Sequence, residues 1–185
     1  MKLDFPQVVA EHFAGLRPIL CANLPYNITT PILTKCVESR CFESLTVLIQ
    51  KEVAERICAR AGTAEYGAFS VLMQYYTDPQ LLFTVPPTCF LPAPKVTSAV
   101  IHCPVRKVPP VEVVSEAALW RTVKAAFALR RKTLVNSLQT GYQLPKEQLA
   151  QIVTACGLDA TVRGERLTLE DFAHLSRLLA EAEGK

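Results

Sequence analysis

The chain has 185 residues, half of them hydrophobic, which suits one medium domain or one and a half small ones with a real core. Its formal net charge of +3 excludes a globally basic protein but leaves room for a local basic patch. No apolar run approaches the ~20 residues of a membrane span, and the first residues lack the apolar core of a signal peptide.

The seven cysteines include no C-x-x-C pair, and they do not stand at metal-ligand spacing with the three histidines. Their number is odd and their neighbours are apolar. We interpret them as buried, reduced thiols of a cytoplasmic protein and expect no metal site and no membrane partner.

The first hundred residues alternate between strand and helix patterns. Residues 6–16 predict an amphipathic helix with Phe13 facing inward, and residues 18–22 predict a buried strand. A helix follows from Thr30, its expected N-cap, and the apolar run 45–49 predicts a second buried strand that leads into a helix over 50–57. Residues 69–76 are helical or mixed. Two more strands, 80–85 and 97–103, flank a stiff Pro-rich loop.

The composition changes near residue 107, where Lys-Val-Pro-Pro indicates a linker. Helical patterns follow, with Ser115 and Thr168 as the expected N-caps of the first and last helices. We therefore predict an α/β fold with two domains. Residues 1–106 form part of a doubly wound, Rossmann-like sheet, and residues 112–185 form a small all-helical domain.

The first strand ends in Asn23-Leu24-Pro25-Tyr26, and ligands of open α/β sheets bind where strands end. The amide oxygen of Asn23 and the carbonyl of Leu24, whose conformation Pro25 restricts, could both accept hydrogen bonds from an exocyclic amine. Tyr26 could stack on a base. The alternative is a strand end followed by a Pro turn, with Tyr26 in the core.

A basic stretch lies in the helical region. No acidic residue occurs between Ala117 and Lys146, whereas Arg130, Arg131 and Lys132 are consecutive. Such a run is the electrostatic pattern of phosphate binding. The alternative is a solvated helix face with one Arg in an ion pair between domains.

Five separated segments together resemble the ribosomal RNA small-subunit adenine N6,N6-dimethyltransferase family, with the KsgA-type branch as the nearest. They occur in the family's order, and DNA adenine methylases more often carry Asp or Asn followed by Pro-Pro-Tyr. The segments are residues 23–28 (NLPYNI), 50–56 (QKEVAER), 66–71 (YGAFSV), 90–100 (FLPAPKVTSAV) and 127–138 (FALRRKTLVNSL), with a weaker sixth at 163–167 (RGERL).

The resemblance implies N6-dimethylation of two adjacent adenosines near the 3′ end of small-subunit rRNA, in immature subunits, by an enzyme that is monomeric at full length. S-adenosyl-L-methionine is the implied cofactor, with Asn23 at the edge of its pocket. Asn23 and Leu24 would bind the amine, and Tyr26 and Phe90 would stack on the flipped adenine. Phe90 could instead anchor its loop beneath the sheet. The implied RNA contacts are Lys95, Arg130, Arg131 and Lys132.

The chain departs from the family pattern because it contains no Gly-x-Gly motif and no Gly-rich cofactor loop. We expect it to be a truncated piece, inactive alone, that binds S-adenosylmethionine poorly and leaves part of its sheet uncovered. Two alternatives stay open: a non-catalytic rRNA-binding or ribosome-assembly module, and a large-subunit rRNA methyltransferase that confers antibiotic resistance.

Overall fold

The computed structural model describes residues 4–184, which fold as two compact units. Among these residues, 4–59 and 72–109 form the first unit, and 60–71 and 110–184 form the second. The first unit contains the sheet and the second is helical, so the α/β fold class is confirmed. None of the helices within residues 4–184 combines the length and apolar character that a membrane-spanning helix requires.

The sheet of the first unit has four strands in the order β1-β2-β4-β3. β1 runs parallel to β2, whereas β4 is antiparallel to both of its neighbours. The strands at 44–50 and 80–85 match their predicted positions within one residue. The strand bounds are β1 Ile19–Asn23, β2 Ser44–Gln50, β3 Gln80–Val85 and β4 Ser98–Pro104.

The helices of the first unit pack against the sheet because alternate strand residues are buried. In β2, Leu45, Val47 and Ile49 are completely or almost completely buried, and Ile101 of β4 is buried beside them. Three helices lie wholly in this unit, and a fourth, α4, begins in the second unit and ends in the first. Their bounds are α1 Phe5–His12, α2 Thr29–Ser39, α3 Lys51–Cys58 and α4 Ala68–Tyr76.

The prediction of a buried first strand was wrong. Within residues 4–184, β1 is an edge strand with a single neighbour, and Ile19 is 64% exposed. Phe13 was expected to face inward, but α1 ends at His12, and Phe13, its C-cap, is 45% exposed. Thr30 does not cap α2, because a 3-10 turn over Tyr26–Ile28 leads directly into a helix that begins at Thr29.

Four helices build the second unit around a core that includes Leu119, Leu138 and Phe172. Both predicted N-caps are confirmed: the Ser115 hydroxyl accepts from the Ala118 N–H at 3.1 Å, and Thr168 forms a capping box with Asp171. The bounds are α5 Glu116–Ala128, α6 Leu134–Leu138, α7 Lys146–Ala155 and α8 Leu169–Glu183.

All seven cysteines are free thiols. Their predicted burial holds for Cys36 and Cys103 but is wrong for Cys21 and Cys89, which are exposed. Cys21 lies on the edge strand β1, and Cys89 lies in the Pro-rich segment between β3 and β4.

Candidate functional site

Asn23 is the last residue of β1, whereas the sequence predicted a strand that ends one residue earlier. It lies in register with Leu48 of β2, and its side chain is exposed. Because β1 and β2 are parallel, Asn23 stands at the edge of the sheet where both strands end. Its amide is therefore available to a ligand on this edge.

The two carbonyl groups after Asn23 differ in their hydrogen bonding. The Pro25 carbonyl accepts from the Ile28 N–H at 3.2 Å and from the Thr29 hydroxyl at 3.0 Å. Leu24 is buried and donates its N–H to the Leu48 carbonyl at 3.1 Å, but its own carbonyl accepts no hydrogen bond from any residue within 4–184. Leu24 therefore provides the available main-chain acceptor beside Asn23.

Tyr26 is fixed by its hydroxyl, which lies 2.7 Å from Oγ of Ser98. Ser98 is completely buried and is the first residue of β4, so the hydrogen bond connects the turn after β1 to the start of β4. Tyr26 itself is half-buried. The alternative places Tyr26 in the core; its side chain is half-buried, with the hydroxyl end held by Ser98.

Phe90 and Lys95 lie in the segment that joins β3 to β4. Phe90 follows a 3-10 turn over Pro87–Cys89, donates its N–H to the Pro87 carbonyl at 3.2 Å and is half-buried. Lys95 is exposed. Among the described residues, Tyr26 and Phe90 make no ring-to-ring contact with each other.

Arg130, Arg131 and Lys132 lie in the second unit, between α5 and α6, and all three are exposed. They differ in their contacts, because the guanidinium of Arg130 donates to the Ala64 carbonyl at 2.5 Å. Arg130 thus ties the segment 60–71 to the helical unit. The sequence suggested, as an alternative, one Arg in an ion pair between domains; the partner of Arg130 is instead a backbone carbonyl of the same unit.

The structure shows hydrogen bonds of two further residues that the sequence did not predict. Ser98 lies within the family-like segment 90–100, but nothing in the sequence distinguished it as the partner of Tyr26. Tyr66 is buried and donates its hydroxyl to the Leu167 carbonyl at 3.0 Å. Burial raises the pKa of the Tyr66 phenol, and the carboxylates of Asp171 and Glu170 raise it further, so it remains a donor.

The side chains of this edge fit one part of a nucleoside-binding pocket. The amide of Asn23 can hydrogen-bond a nucleoside, and its exposure leaves room for one. The 185 residues contain no Gly-rich turn through which the backbone could approach a bound nucleotide closely. The residues present therefore fit the edge of an S-adenosylmethionine site, not the whole of it.

The family model for ribosomal RNA adenine dimethylases matches residues 1–181. The chain belongs to this family. Known members resemble it closely: it is 45% identical over 185 residues to the ribosomal RNA small subunit methyltransferase A of Geobacillus sp. (strain WCH70), covering 97% of this chain and 63% of that protein. The protein of the same name from Alkaliphilus oremlandii (strain OhILAs) is 44% identical, with 98% and 64% covered.

The chain thus spans a little under two thirds of the length of these relatives. Two solved structures share its fold. A dimethyladenosine transferase from Plasmodium falciparum superposes with a TM-score of 0.71 at 19% identity, covering 97% of this chain and 76% of that one. The 23S rRNA methyltransferase ErmE superposes with a TM-score of 0.63 at 20% identity, covering 94% and 75%.

Proposed function

We propose that this chain carries the target-base side of an rRNA adenine N6-dimethyltransferase that modifies two adjacent adenosines near the 3′ end of small-subunit rRNA. The observation that carries the proposal is the pair of acceptors at the end of β1: the exposed amide of Asn23 beside the unengaged carbonyl of Leu24. Membership of the family and relatives named as small-subunit methyltransferases support this choice of substrate.

The exocyclic amine of adenine has two N–H groups, which match two acceptors. The Asn23 amide oxygen and the Leu24 carbonyl oxygen each accept one N–H, and this fixes the direction of the nitrogen lone pair. Pro25 contributes by restricting the backbone of Leu24, so that its carbonyl keeps one orientation. Alignment of this kind can lower a barrier by several kcal/mol without a strong base.

Tyr26 and Phe90 hold the plane of the flipped base. The Tyr26 ring is fixed through Ser98, and Phe90 extends from the short turn that precedes it. In this proposal the adenine ring lies between the two aromatic side chains. Stacking on an aromatic side chain contributes roughly 1–3 kcal/mol per base, which helps to offset the cost of removing the base from its stack.

S-adenosylmethionine, when bound, supplies an electrophilic methyl group on a sulfonium. Asn23 borders its pocket and aligns the amine with that methyl group. Asn23 and Leu24 would hold the amine so that its lone pair faces this methyl group, which would pass from sulfur to nitrogen as the nitrogen gives up one proton to water. Because the chain lacks a Gly-rich turn, we expect the 185 residues alone to bind the cofactor weakly and to be inactive.

The cations supply the affinity for RNA. Arg131 and Lys132 are exposed and would contact phosphates, with Arg130 beside them and Lys95 near the base pocket. The immature small ribosomal subunit is the proposed substrate particle, so the protein acts in the cytoplasm during ribosome biogenesis. We propose a monomer at full length, with no metal in the reaction.

A methyl-transfer assay tests the proposal. The chain is joined to the portion of the Geobacillus relative that the match leaves uncovered, and radiolabelled S-adenosylmethionine and undermethylated small subunits are supplied. We expect label in adenosine, and Asn23→Ala should lower the rate about 100-fold or more with unchanged thermal stability. Gln80→Ala, which removes an exposed amide side chain from the start of β3 on the same unit, is the matched control and should leave the rate unchanged.

The assay separates the two alternatives. Transfer to large subunits in preference to small ones would favour the resistance-type methyltransferase. Tight binding to small subunits without any transfer by the joined protein would favour the non-catalytic assembly module, and either outcome would contradict the proposal.

A further inference from the structure

Thr29 lies directly after the turn that carries the two proposed acceptors, and it is the first residue of α2. It is 2% exposed, so its hydroxyl is removed from water and needs a partner within the protein. That partner is the Pro25 carbonyl, to which the hydroxyl donates a hydrogen bond of 3.0 Å. A buried side chain of the helix is thereby connected to the backbone of the turn.

The position of Thr29 is set by the packing of α2. Thr29 shares the buried face of this helix with Leu33, Cys36 and Val37, at the spacing that places side chains on one side of a helix. These three side chains are at most 1% exposed. Because a closely packed face does not shift easily, the Thr29 hydroxyl approaches the turn from a fixed point.

Thr29 completes the hydrogen bonding of the Pro25 carbonyl. A carbonyl oxygen has two lone pairs, and that of Pro25 accepts both the Thr29 hydroxyl and the Ile28 N–H, the latter at 3.2 Å. The Pro25 carbonyl therefore has no acceptor capacity left for a ligand. An amine that reaches this turn finds the Leu24 carbonyl as its main-chain acceptor.

The same bond restrains the peptide group that carries the Leu24 carbonyl. On one side, Leu24 donates its N–H to the Leu48 carbonyl of β2 at 3.1 Å, and its side chain is buried. On the other side, Thr29 holds the next carbonyl, that of Pro25, whose φ is −59° and whose ψ is 130°. The Leu24 carbonyl lies between these two fixed points, so its direction depends on both.

We propose that Thr29 is a positioning residue of the methyltransferase: its hydroxyl keeps the Pro25 carbonyl engaged and so directs the Leu24 carbonyl at the exocyclic amine of adenine. This role rests on the proposed function, because it requires an amine bound at Asn23 and Leu24. Thr29 is buried and acts through the backbone, not on the base itself. Serine, which keeps the hydroxyl, can replace it, whereas valine, which has nearly the same shape, cannot.

A hydrogen bond from threonine to the carbonyl four residues earlier is also common within helices. Thr77, directly after α4, makes such a bond to Met73 at 2.7 Å, is completely buried and lies in the same unit. The Thr29 bond differs because its acceptor lies outside α2, ahead of the 3-10 turn over Tyr26–Ile28. Thr77→Val therefore removes the same kind of bond away from the turn and is the matched control.

Recognition of the amine by the full chain tests the role of Thr29. Two short, fluorescein-labelled, single-stranded RNAs of uridines around one central purine carry either adenosine or purine riboside, which lacks the amine. The ratio of their Kd values measures what the amine contributes. Two hydrogen bonds should give the wild type a preference of about tenfold for adenosine. Thr29→Val should reduce the preference to about threefold or less, and Thr29→Ser should keep it.

The controls separate positioning from stability. Thr77→Val should lower the urea midpoint about as much as Thr29→Val but leave the adenosine preference at the wild-type value. Thr30→Val makes the same change at the neighbouring threonine, which is exposed, and should alter neither quantity. Both RNAs are measured on the same protein, so an unfolded fraction affects both Kd values equally and cancels in the ratio. Thr29→Ala, a second variant without the hydroxyl, should lose the preference as Thr29→Val does.

A wild-type chain that binds neither RNA, or both equally, would show that Asn23 and Leu24 hold no amine, and it would overturn the proposed function together with the role of Thr29. A wild-type preference that Thr29→Val and Thr29→Ala retain would overturn only the role of Thr29. A preference lost equally in Thr77→Val would do the same, because the loss would then follow from stability alone. Loss in Thr29→Ser would also overturn it, since the hydroxyl would not be the cause.

Discussion

The Tyr26 hydroxyl and the Ser98 hydroxyl lie 2.7 Å apart, although 72 residues separate them in the chain. This contact joins the turn that carries the two proposed acceptors to the first residue of β4, directly after the loop of Phe90 and Lys95. One side chain thereby fixes two segments of the proposed base pocket. Ser98 is completely buried, so its hydroxyl depends on this partner.

Tyr26→Phe should lower the free energy of unfolding by about 1 kcal/mol, since it leaves the Ser98 hydroxyl without its partner. A double-mutant cycle with Ser98→Ala, measured by urea unfolding, should give a coupling energy of about 0.5–1.5 kcal/mol. Tyr26→Phe keeps the ring, whereas Tyr26→Ala should weaken base stacking by roughly 1–3 kcal/mol. Equal RNA affinities for the two variants would contradict the stacking role.

The basic segment should divide into one structural arginine and two RNA-binding cations. Arg130→Gln loses the bond to the Ala64 carbonyl and should destabilise the second unit by about 1 kcal/mol, measured by thermal melting. Arg131→Gln with Lys132→Gln should leave the melting temperature unchanged but lower the salt slope of RNA binding by about 1.4. A similar loss of stability from both variants would show that Arg130 has no special structural role.

Gly164 is required by its close approach to α5. A Cβ there would lie 2.7 Å from the Ala126 carbonyl oxygen and 3.2 Å from the Ala126 Cβ. The closest atom belongs to the backbone of α5, which cannot shift as easily as the end of a flexible side chain. Gly164→Ala should therefore cost about 1–3 kcal/mol of unfolding free energy, measured by urea titration. Gly67→Ala, where no atom lies within 4 Å of the new Cβ, is the control and should change stability by less than about 0.5 kcal/mol.

The buried thiols should make stability fall in alkali. Burial raises the pKa of Cys36 from 9.0 to about 11 and that of Cys103 from 9.0 to about 12. Both thiols remain protonated in the folded chain, so their contribution is complete below pH 9 and is lost as the pH rises through 11 to 12. The urea midpoint of the wild type should decline above pH 9, and Cys103→Ala should decline less steeply.

Cys89→Ala, which removes an exposed thiol, is the control for the alkaline series and should follow the wild type. Thiol labelling at pH 8 gives an independent check. A disulfide reagent should modify Cys21 and Cys89 in the native chain, but Cys36 and Cys103 only after denaturant is added. Rapid native labelling of Cys36 would contradict the burial on which this prediction depends.

Local chemistry made some of these features predictable. The Ser115 and Thr168 caps involve partners three residues away, and β2 is a continuous run of apolar and β-branched residues, so short windows contain the information. The absence of a Gly-rich loop led us to expect an uncovered part of the sheet, but the residues of β1 could not show that β1 is the exposed strand. A run such as Ile-Leu-Cys-Ala suits a central strand, and only the set of neighbouring strands decides that it lies at an edge.

In the candidate site, too, features set by nearby residues were predictable and features set by distant residues were not. The sequence predicts the acceptors at Asn23 and Leu24, because a strand end before a proline is a local pattern. It could not predict that Ser98 holds Tyr26 or that Ala64 occupies Arg130, since these partners lie 72 and 66 residues away. Long-range partners decide which member of a motif is free to bind and which is already engaged.

The chain passes between its two units three times, and this affects how the protein can be dissected. Segment 60–71 belongs to the helical unit, and within it Tyr66 lies against Phe127, with ring centroids 6.1 Å apart, and bonds to Leu167. A single cut near residue 110 would remove this segment from the helices it stabilises. A recombinant helical unit should therefore contain both segments, with residues 60–71 fused to residues 110–184 through a short linker.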